Sequence, residues 1–310
     1  TAASTVTAGT LYDVGTLTQN YDNKNVGTGK TLTPSIIFTD PADANNYTIT
    51  LQNSTGGEIT ARALTASLTG TAEKVYDGTL NATLTGANYS LAGLIGGDAV
   101  SATGTSVAYA DKNVNTGITV TATGLSISGA DAGNYTISGD AAGSIGVITA
   151  RPLTATVTAA NKVYDGTTTA TISGGITLGN LVGSDAVSAS YTGGAFADKH
   201  VGTNKTVTLD GIALAGADAG NYSLAADSVT SSASITPKTL TSSLTGTVEK
   251  VYDGTTAATL TGANYTPFSG IVSGDEVSIN IATSGSYVDK NAGEGKQVSV
   301  SGLGLSGADA

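Results

Sequence analysis

Hard oxygen ligands return in this chain at fixed places. Asp131 and Asn134, then Asp218 and Asn221, joined by Asp98, Asp185 and Asp275, could contribute to the roughly six to eight oxygens that Ca2+ takes. Their spacing matches neither an EF-hand loop nor the glycine-rich nonapeptide of calcium-binding β-helices. Asx-turns use the same residue types without a metal, so calcium and turn-building stand as the two readings. Lysines recur as well. Lys74, Lys162 and Lys250, and Lys112, Lys199 and Lys290, lie beside acidic or amide side chains. A Lys–Asn isopeptide crosslink would need lysine, asparagine and a carboxylate buried in contact; the plain alternative is a lysine whose stem lies on the surface. His200 is the single histidine and replaces the asparagine of the sister segments, so it supports neither a triad nor a zinc site. Serine and threonine are abundant, yet no base accompanies them, and no glycine-rich turn between strand and helix offers a phosphate cradle. No catalytic residue and no cofactor are expected, and the binding residues are left open.

The elements that must hold these residues are copies of one unit. Lys74-Val75-Tyr76-Asp77-Gly78 returns 88 residues later at Lys162–Gly166 and after a further 88 at Lys250–Gly254. A second landmark, Gly97-Asp98-Ala99-Val100, is matched from Ser184 and from Gly274. The third, Tyr109-Ala110-Asp111-Lys112-Asn113-Val114, is matched from Phe196 and Tyr287 and more loosely from Tyr21. The fourth, Gly129 to Tyr135, is matched by Asp43–Tyr47 and Gly216–Tyr222, and in part by Gly307–Ala310. A recurrence on this scale marks tandem copies of one folding unit.

The intervals separate rigid from variable parts. From the third-landmark lysine to the fourth-landmark aspartate the distance is 19 residues in all four copies, whereas the first and third lysines lie 38, 37 and 40 apart. Length changes gather in surface loops, so the 19-residue interval is core. Inside it apolar residues alternate, slip by one, and resume: Val120 and Ala122, then Leu125 and Ile127. Period two is a strand, and Gly124, Gly211 and Gly302 stand at the slip, where a bulge or bend is expected. The first copy, with Pro34 and Ile36-Ile37-Phe38, is expected to differ at its edge. Other strand-like runs are Leu64–Leu68, Ala99–Ala102, Tyr135–Ser138 and Ile145–Thr149, while Ser90–Gly97 could hold one helical turn. Tyr76, Tyr164 and Tyr252 read as core-edge side chains before an Asp-Gly turn, although exposed tyrosines could also stack on sugar rings.

Six to eight short strands per unit predict an all-β fold, a tandem array of ~88-residue β-sandwich or β-grasp-like repeats. Copies join at Ile59–Leu64, Ile148–Leu153 and Ile235–Leu240 through β-branched, twice Pro-stiffened joints, which predicts an extended rod. The expected organisation is a partial repeat at 1–61, complete repeats at 62–150 and 151–237, and a partial repeat at 238–310.

Composition sets further limits. Twenty-four acidic against 13 basic residues give a net charge of -11, which argues against nucleic acid and anionic membrane partners. No apolar run is long enough for a membrane span, so no membrane insertion is expected. Cysteine is absent, which excludes disulfides and suits a chain exported unfolded. Methionine is also absent, so Thr1 is not expected to be a native start, and any export signal or anchor would lie outside this segment.

The Lys-Val-Tyr-Asp-Gly block, the Gly-Ala-Asp-Ala-Gly-Asn-Tyr block and the Ile-Thr-Ala-Arg-Pro-Leu junction together resemble YDG/MBG-type repeats, over essentially the whole chain. Such repeats occur in very large bacterial secreted adhesins, including filamentous-haemagglutinin-like exoproteins. The resemblance implies an extracellular or cell-surface stalk, an outer-membrane secretion partner, and a role in biofilm or cell attachment; it assigns no catalytic residue. The alternative is that the repeats themselves bind exopolysaccharide or host glycan weakly and multivalently. Fibre–fibre association through open strand edges is a further possible partner mode.

Overall fold

In a computed structural model, the structure describes residues 14–38 and 48–310. It is nearly all β, and among the described residues the helical content is four single 3-10 turns. The chain divides into two compact units, residues 1–151 and 152–310. The fourth landmark of the first copy, Asp43–Tyr47, lies outside the described residues.

The first unit opens with a three-stranded antiparallel sheet, β1 (Val14–Tyr21), β2 (Gly27–Phe38) and β3 (Ser54–Ile59), in that order. Ile36 stands where the later copies carry their slip glycine, and β2 accordingly runs unbroken for 12 residues. Pro34 lies beyond Leu32, the last rung shared with β3, so its missing N–H interrupts no pairing on that side.

The next copy contains β4 (Arg62–Leu68), β5 (Ala72–Val75), β6 (Tyr89–Ala92), β7 (Ser101–Thr103), β8 (Ser106–Tyr109), β9 (Asn115–Thr123), β10 (Ser126–Ser128), β11 (Tyr135–Ile137) and β12 (Ala141–Thr149). That is nine strands rather than six to eight. They form a four-stranded sheet in the order β5-β12-β9-β8, a three-stranded sheet β11-β4-β6, and a ribbon β7-β10. Two pairings are parallel, β5 with β12 and β4 with β11. Alternation along β9 buries Ile118, Val120 and Ala122, alternation along β4 buries Leu64 and Leu68, and β12 of the first sheet packs on β4 of the second, so two sheets meet through apolar faces as in a sandwich. The expected helical turn in Ser90–Gly97 is displaced: it sits at Gly86–Asn88, where Asn88 accepts from the Thr85 amide and hydroxyl, and Ser90–Ala92 belongs to β6.

The second unit repeats this plan with β13 (Arg151–Ala159), β14 (Lys162–Val163), β15 (Ile172–Gly179), β16 (Ser188–Ser190), β17 (Gly193–Phe196), β18 (Gly202–Asp210), β19 (Ala213–Ala215), β20 (Tyr222–Leu224) and β21 (Val229–Thr236). The sheets are β14-β21-β18-β17 and β15-β13-β20, with the ribbon β16-β19. One core cluster takes Ala159 from β13 and Phe196, Val207, Ala233 and Ile235 from the other sheet. The last copy holds β22 (Ala257–Thr259), β23 (Ser278–Asn280), β24 (Ser284–Tyr287), β25 (Val298–Ser299) and β26 (Gly304–Ser306), as a sheet β22-β24-β25 and a ribbon β23-β26.

The slip glycine makes a corner, not a bulge. β9 ends at Thr123, Gly124 turns with φ +63°, and the chain leaves the four-stranded sheet to pair with β7 as β10. This ribbon brings the second and fourth landmarks together, because the rung Ser101–Ser128, continued by one residue, sets Val100 opposite Gly129 with the Ala99 carbonyl against it. The approach is close. A Cβ on Gly129 would lie 2.2 Å from the Ala99 carbonyl oxygen, and one on Gly216 2.1 Å from that of Ala186. We predict that Gly216→Ala, placed at φ +120° against fixed backbone, costs roughly 2 kcal/mol or more of stability, read by denaturant unfolding. Gly220→Ala, which meets nothing within 4 Å, is the comparison that should stay near the native value.

Candidate functional site

Three constellations recur, and each is built around a lysine. In the first, the Lys-Val-Tyr-Asp-Gly strand delivers Lys74 to the turn after it. Its Nζ donates to Asp77 Oδ1 at 2.7 Å and to the Thr79 carbonyl and hydroxyl at 2.6 and 3.2 Å. Asp77 Oδ1 in turn accepts from the Thr79 amide and hydroxyl, both at 2.9 Å, while Gly78 takes φ +75°. The ammonium stands 5.1 Å from the centroid of the Tyr109 ring, a cation–π arrangement. Lys162 repeats the set with Asp165, Thr167 and the Phe196 ring, and Lys250 with Asp253, Thr255 and the Tyr287 ring.

The lysine and the turn amides favour the ionised carboxylates. Lys162 first, then the Thr167 amide, hold Asp165 at about 2, and Lys250 with the Thr255 amide hold Asp253 at about 2. At Asp77 burial opposes ionisation, but Lys74 and Thr79 outweigh it and the pKa still falls. An isopeptide needs a neutral amine beside a carbonyl polarised by a protonated acid. These lysines face ionised carboxylates instead, so the geometry favours salt bridges over crosslinks.

The second constellation joins one copy to the next. Lys24 of the first copy reaches Asp98 Oδ1 at 2.8 Å and Asp131 Oδ1 at 3.2 Å of the second. Around it the Val26 amide donates to Asn134 Oδ1 at 2.8 Å, and Asn134 Nδ2 donates to Asn25 Oδ1 at 3.2 Å. Asp131 Oδ2 is taken by the Ala99 amide at 2.9 Å, and the Tyr135 hydroxyl donates to Asp98 Oδ2 at 2.6 Å. The lysine, then the tyrosine, lower the Asp98 pKa, and the bond to Asp98 raises that of Tyr135. In the second unit Lys199 makes the same joint, 2.9 Å from Asp309 and 3.4 Å from Asp275. Asp309, with smaller help from Tyr164 and Asp275, raises the Lys199 pKa against the effect of burial.

This arrangement redefines the calcium candidates. An ammonium occupies the place between Asp98 and Asp131 where a cation would sit, and Asn134 is spent on the Val26 amide and Asn25. In the second unit Asp218 Oδ2 accepts from the Ala186 amide at 2.8 Å, and Asn221 is buried. Among the described residues no cluster of three His, Asp or Glu side chains is arranged to hold a metal.

The third constellation stiffens the loop that carries the joint lysine. Asp198 accepts from the His200 amide at 2.8 Å and from Lys205 at 2.5 Å, and Asp289 accepts from the Asn291 amide at 2.8 Å and from Lys296. His200 thus serves through its backbone, with its side chain exposed. The first copy closes the same loop with Lys30 and Asn23.

The Tyr-Asp-Gly tyrosines differ among copies. Tyr76 is buried outright, Tyr164 is half-buried, and Tyr252 is 60% exposed. The Tyr164 hydroxyl is buried beside Lys199 and Asp275 without closing a regular hydrogen bond. Burial, then Asp275, raise its pKa while Lys199 opposes them. Sequence reasoning missed the partner of the joint lysine, since Lys24 and Asp98 lie 74 residues apart and Lys199 and Asp275 lie 76 apart. The signal was present in the fixed recurrence of lysine and aspartate together.

A family model described as the YDG domain matches residues 60–142, 149–231 and 236–310. No curated protein and no solved structure matches the chain.

Two outcomes are expected for these ion pairs. Asp165 and Asp253 fall from an ordinary 3.8 to about 2 in the folded chain, so their stabilisation is full above pH ~4 and lost as the pH drops toward 2. Unfolding midpoints should be flat from pH 7 to 5 and fall below 4, with Asp165→Asn flattening part of that fall. Lys199, more than the Glu276 amide, holds the Asp309 carboxyl below its ordinary 3.8, so the stabilisation it gives is full above pH ~4 and lost at lower pH. The deficit of Lys199→Ala against the native chain should therefore be largest at pH 7 and narrow as the pH falls below 4, measured by thermal denaturation.

Proposed function

The chain belongs to the YDG domain family, and on that basis we propose that its copies are structural stalk or spacer repeats of a bacterial extracellular adhesin, serving cell–cell or cell–matrix attachment in biofilms. The observation that carries this reading is the joint lysine. Lys24 and Lys199 each tie their own copy to two aspartates of the next copy, so the recurring charged residues are spent on holding repeats together. Stability in such an array is the sum of small cores and nearest-neighbour joints. An excess of acidic residues keeps neighbouring fibres soluble and mutually repelling. No reaction is assigned to the chain, and its location outside the cell and export through an outer-membrane partner belong to the same proposal.

Weak, multivalent polysaccharide binding is the second reading, favoured by Tyr191, which lies in the variable interval of its copy and is 41% exposed. Against it, Tyr76, Tyr109, Tyr135, Phe196 and Tyr222 are buried, which leaves few aromatic platforms for sugar rings. The deciding experiment titrates the full chain with a panel of bacterial exopolysaccharides and host glycans. The spacer reading expects no saturable binding, whereas saturable binding to one glycan, abolished by Tyr191→Ala, would transfer the adhesive role to the repeats. Solution scattering of the Lys24→Ala/Lys199→Ala chain should show greater segmental flexibility than the native chain; unchanged scattering would mean that the joints are not what stiffens it.

A further inference from the structure

Four Asp-Gly pairs occur in the chain: Asp77-Gly78, Asp165-Gly166, Asp210-Gly211 and Asp253-Gly254. Such a pair is open to one spontaneous reaction, because glycine puts no side chain in the way of its own amide nitrogen. That nitrogen attacks the aspartate Cγ. The new N–Cγ bond closes a five-membered succinimide, and the carboxyl OH departs with the amide proton as water. Water then returns. Where it adds to the main-chain carbonyl of the ring, the original peptide C–N bond breaks and the chain continues through the side-chain carbonyl as isoaspartate, with no change in mass. The reaction requires a carboxyl group that is protonated and able to swing over the following amide.

The three Tyr-Asp-Gly turns withhold both requirements. Asp165 Oδ1 accepts from Lys162 Nζ at 2.8 Å and from the Thr167 amide and hydroxyl at 2.9 Å each. Asp77 and Asp253 are held by the same set, so in every turn three bonds must break before the carboxyl can rotate. The lysine, then the threonine amide, hold Asp165 and Asp253 at about 2. Against an ordinary 3.8 this lowers the protonated fraction at neutral pH roughly 60-fold.

Asp210 is placed differently. It ends β18 at the corner where Gly211 turns with φ +66°. Both residues are exposed, and among the described residues the Asp210 carboxylate has no partner and the Gly211 N–H no acceptor. The Asp210 carbonyl oxygen, in contrast, accepts from the Thr192 amide at 3.2 Å and from its hydroxyl at 3.0 Å. Two donors on that oxygen draw electrons from the peptide unit and make the Gly211 N–H easier to deprotonate. In the sister copies the corner carries Thr123 or Ser301 at this place, and neither has a carboxyl.

We propose that Asp210-Gly211 is the chain's site of aspartyl isomerisation, and that the lysine clamp shields the three Tyr-Asp-Gly turns from the same reaction. Isomerisation adds one carbon to the main chain where space is short, since a Cβ on Gly211 would already lie 2.4 Å from the Thr192 hydroxyl. The product therefore loosens the ribbon β16-β19, and with it the bond from the Ala186 amide to Asp218. This inference stands apart from the stalk reading, because it concerns the chemistry of the chain and not its role.

The test incubates the full chain for weeks at neutral pH and 37 °C and maps isoaspartate by electron-transfer fragmentation of its proteolytic peptides. Isoaspartate is expected at 210 at least tenfold faster than at 77, 165 or 253, and Asp210→Glu should leave the chain without a fast site. In Lys162→Ala, position 165 should accelerate at least tenfold while 253, in the same chain, does not change. Absence of modification at 210, its appearance first in a Tyr-Asp-Gly turn, or an unchanged rate at 165 in Lys162→Ala would overturn the assignment.

Discussion

A copy of this repeat closes only when its last strand lies between an early strand and the central one. β12 touches β5 and β9, and β21 touches β14 and β18, so the main sheet of each complete copy depends on residues some 75 positions apart in sequence. The other recurring features of the copy derive from that closure. It buries the Tyr109 and Phe196 rings, which then serve as the surface over which Lys74 and Lys162 are held. It fixes the first strand relative to the turn at Asp77 or Asp165, and the ribbon then sets the second landmark against the fourth. A modest core of mostly small and β-branched residues suffices because the rungs on both sides of the closing strand tie it in place.

Charge in this chain is scarce and placed. With 13 basic residues against 24 acidic, a lysine left on the surface would do little, yet Lys24, Lys74, Lys162, Lys199, Lys205, Lys250 and Lys296 each meet an aspartate. Solvent-exposed pairs of this kind contribute little apiece and weaken with salt. Their value lies in geometry. At the Asp-Gly turn and at the meeting of successive copies one ammonium donates to several oxygens, and in the joint loop Lys205 or Lys296 donates to the aspartate that also accepts a backbone amide.

Much of this architecture is legible in the sequence. Period-two alternation around Val120 and Val207 marks the central strand, and the glycine at the slip marks where its direction changes. Periodicity cannot distinguish a bulge from a corner that passes the chain to another sheet; that difference rests on which strand pairs with Ser126–Ser128. Hydrophobicity points to Ser90–Gly97 for the helical turn, whereas the turn forms where Asn88 can accept from Thr85, a capping signal that outweighs it. Asp131 and Asn134 read as hard-oxygen residues, but their partner is a lysine 107 positions earlier for the one and the Val26 amide for the other. No local pattern contains that information. The tyrosine before Asp-Gly reads identically in three copies and is buried to three different degrees, because its cover comes from outside its own segment.

The parallel pairings also govern how a copy answers to tension. β4 runs alongside β11 and β5 alongside β12, so in each pair a strand from the beginning of the copy lies parallel to one from its end. A pull applied through the chain drags the early strands one way and the late strands the other along their common axis. The rungs between them are then loaded in shear and must yield together, whereas an antiparallel hairpin pulled from its open end unzips one rung at a time. Resistance to force is thereby decoupled from the small equilibrium stability that so modest a core provides, since forced unfolding is governed by the barrier.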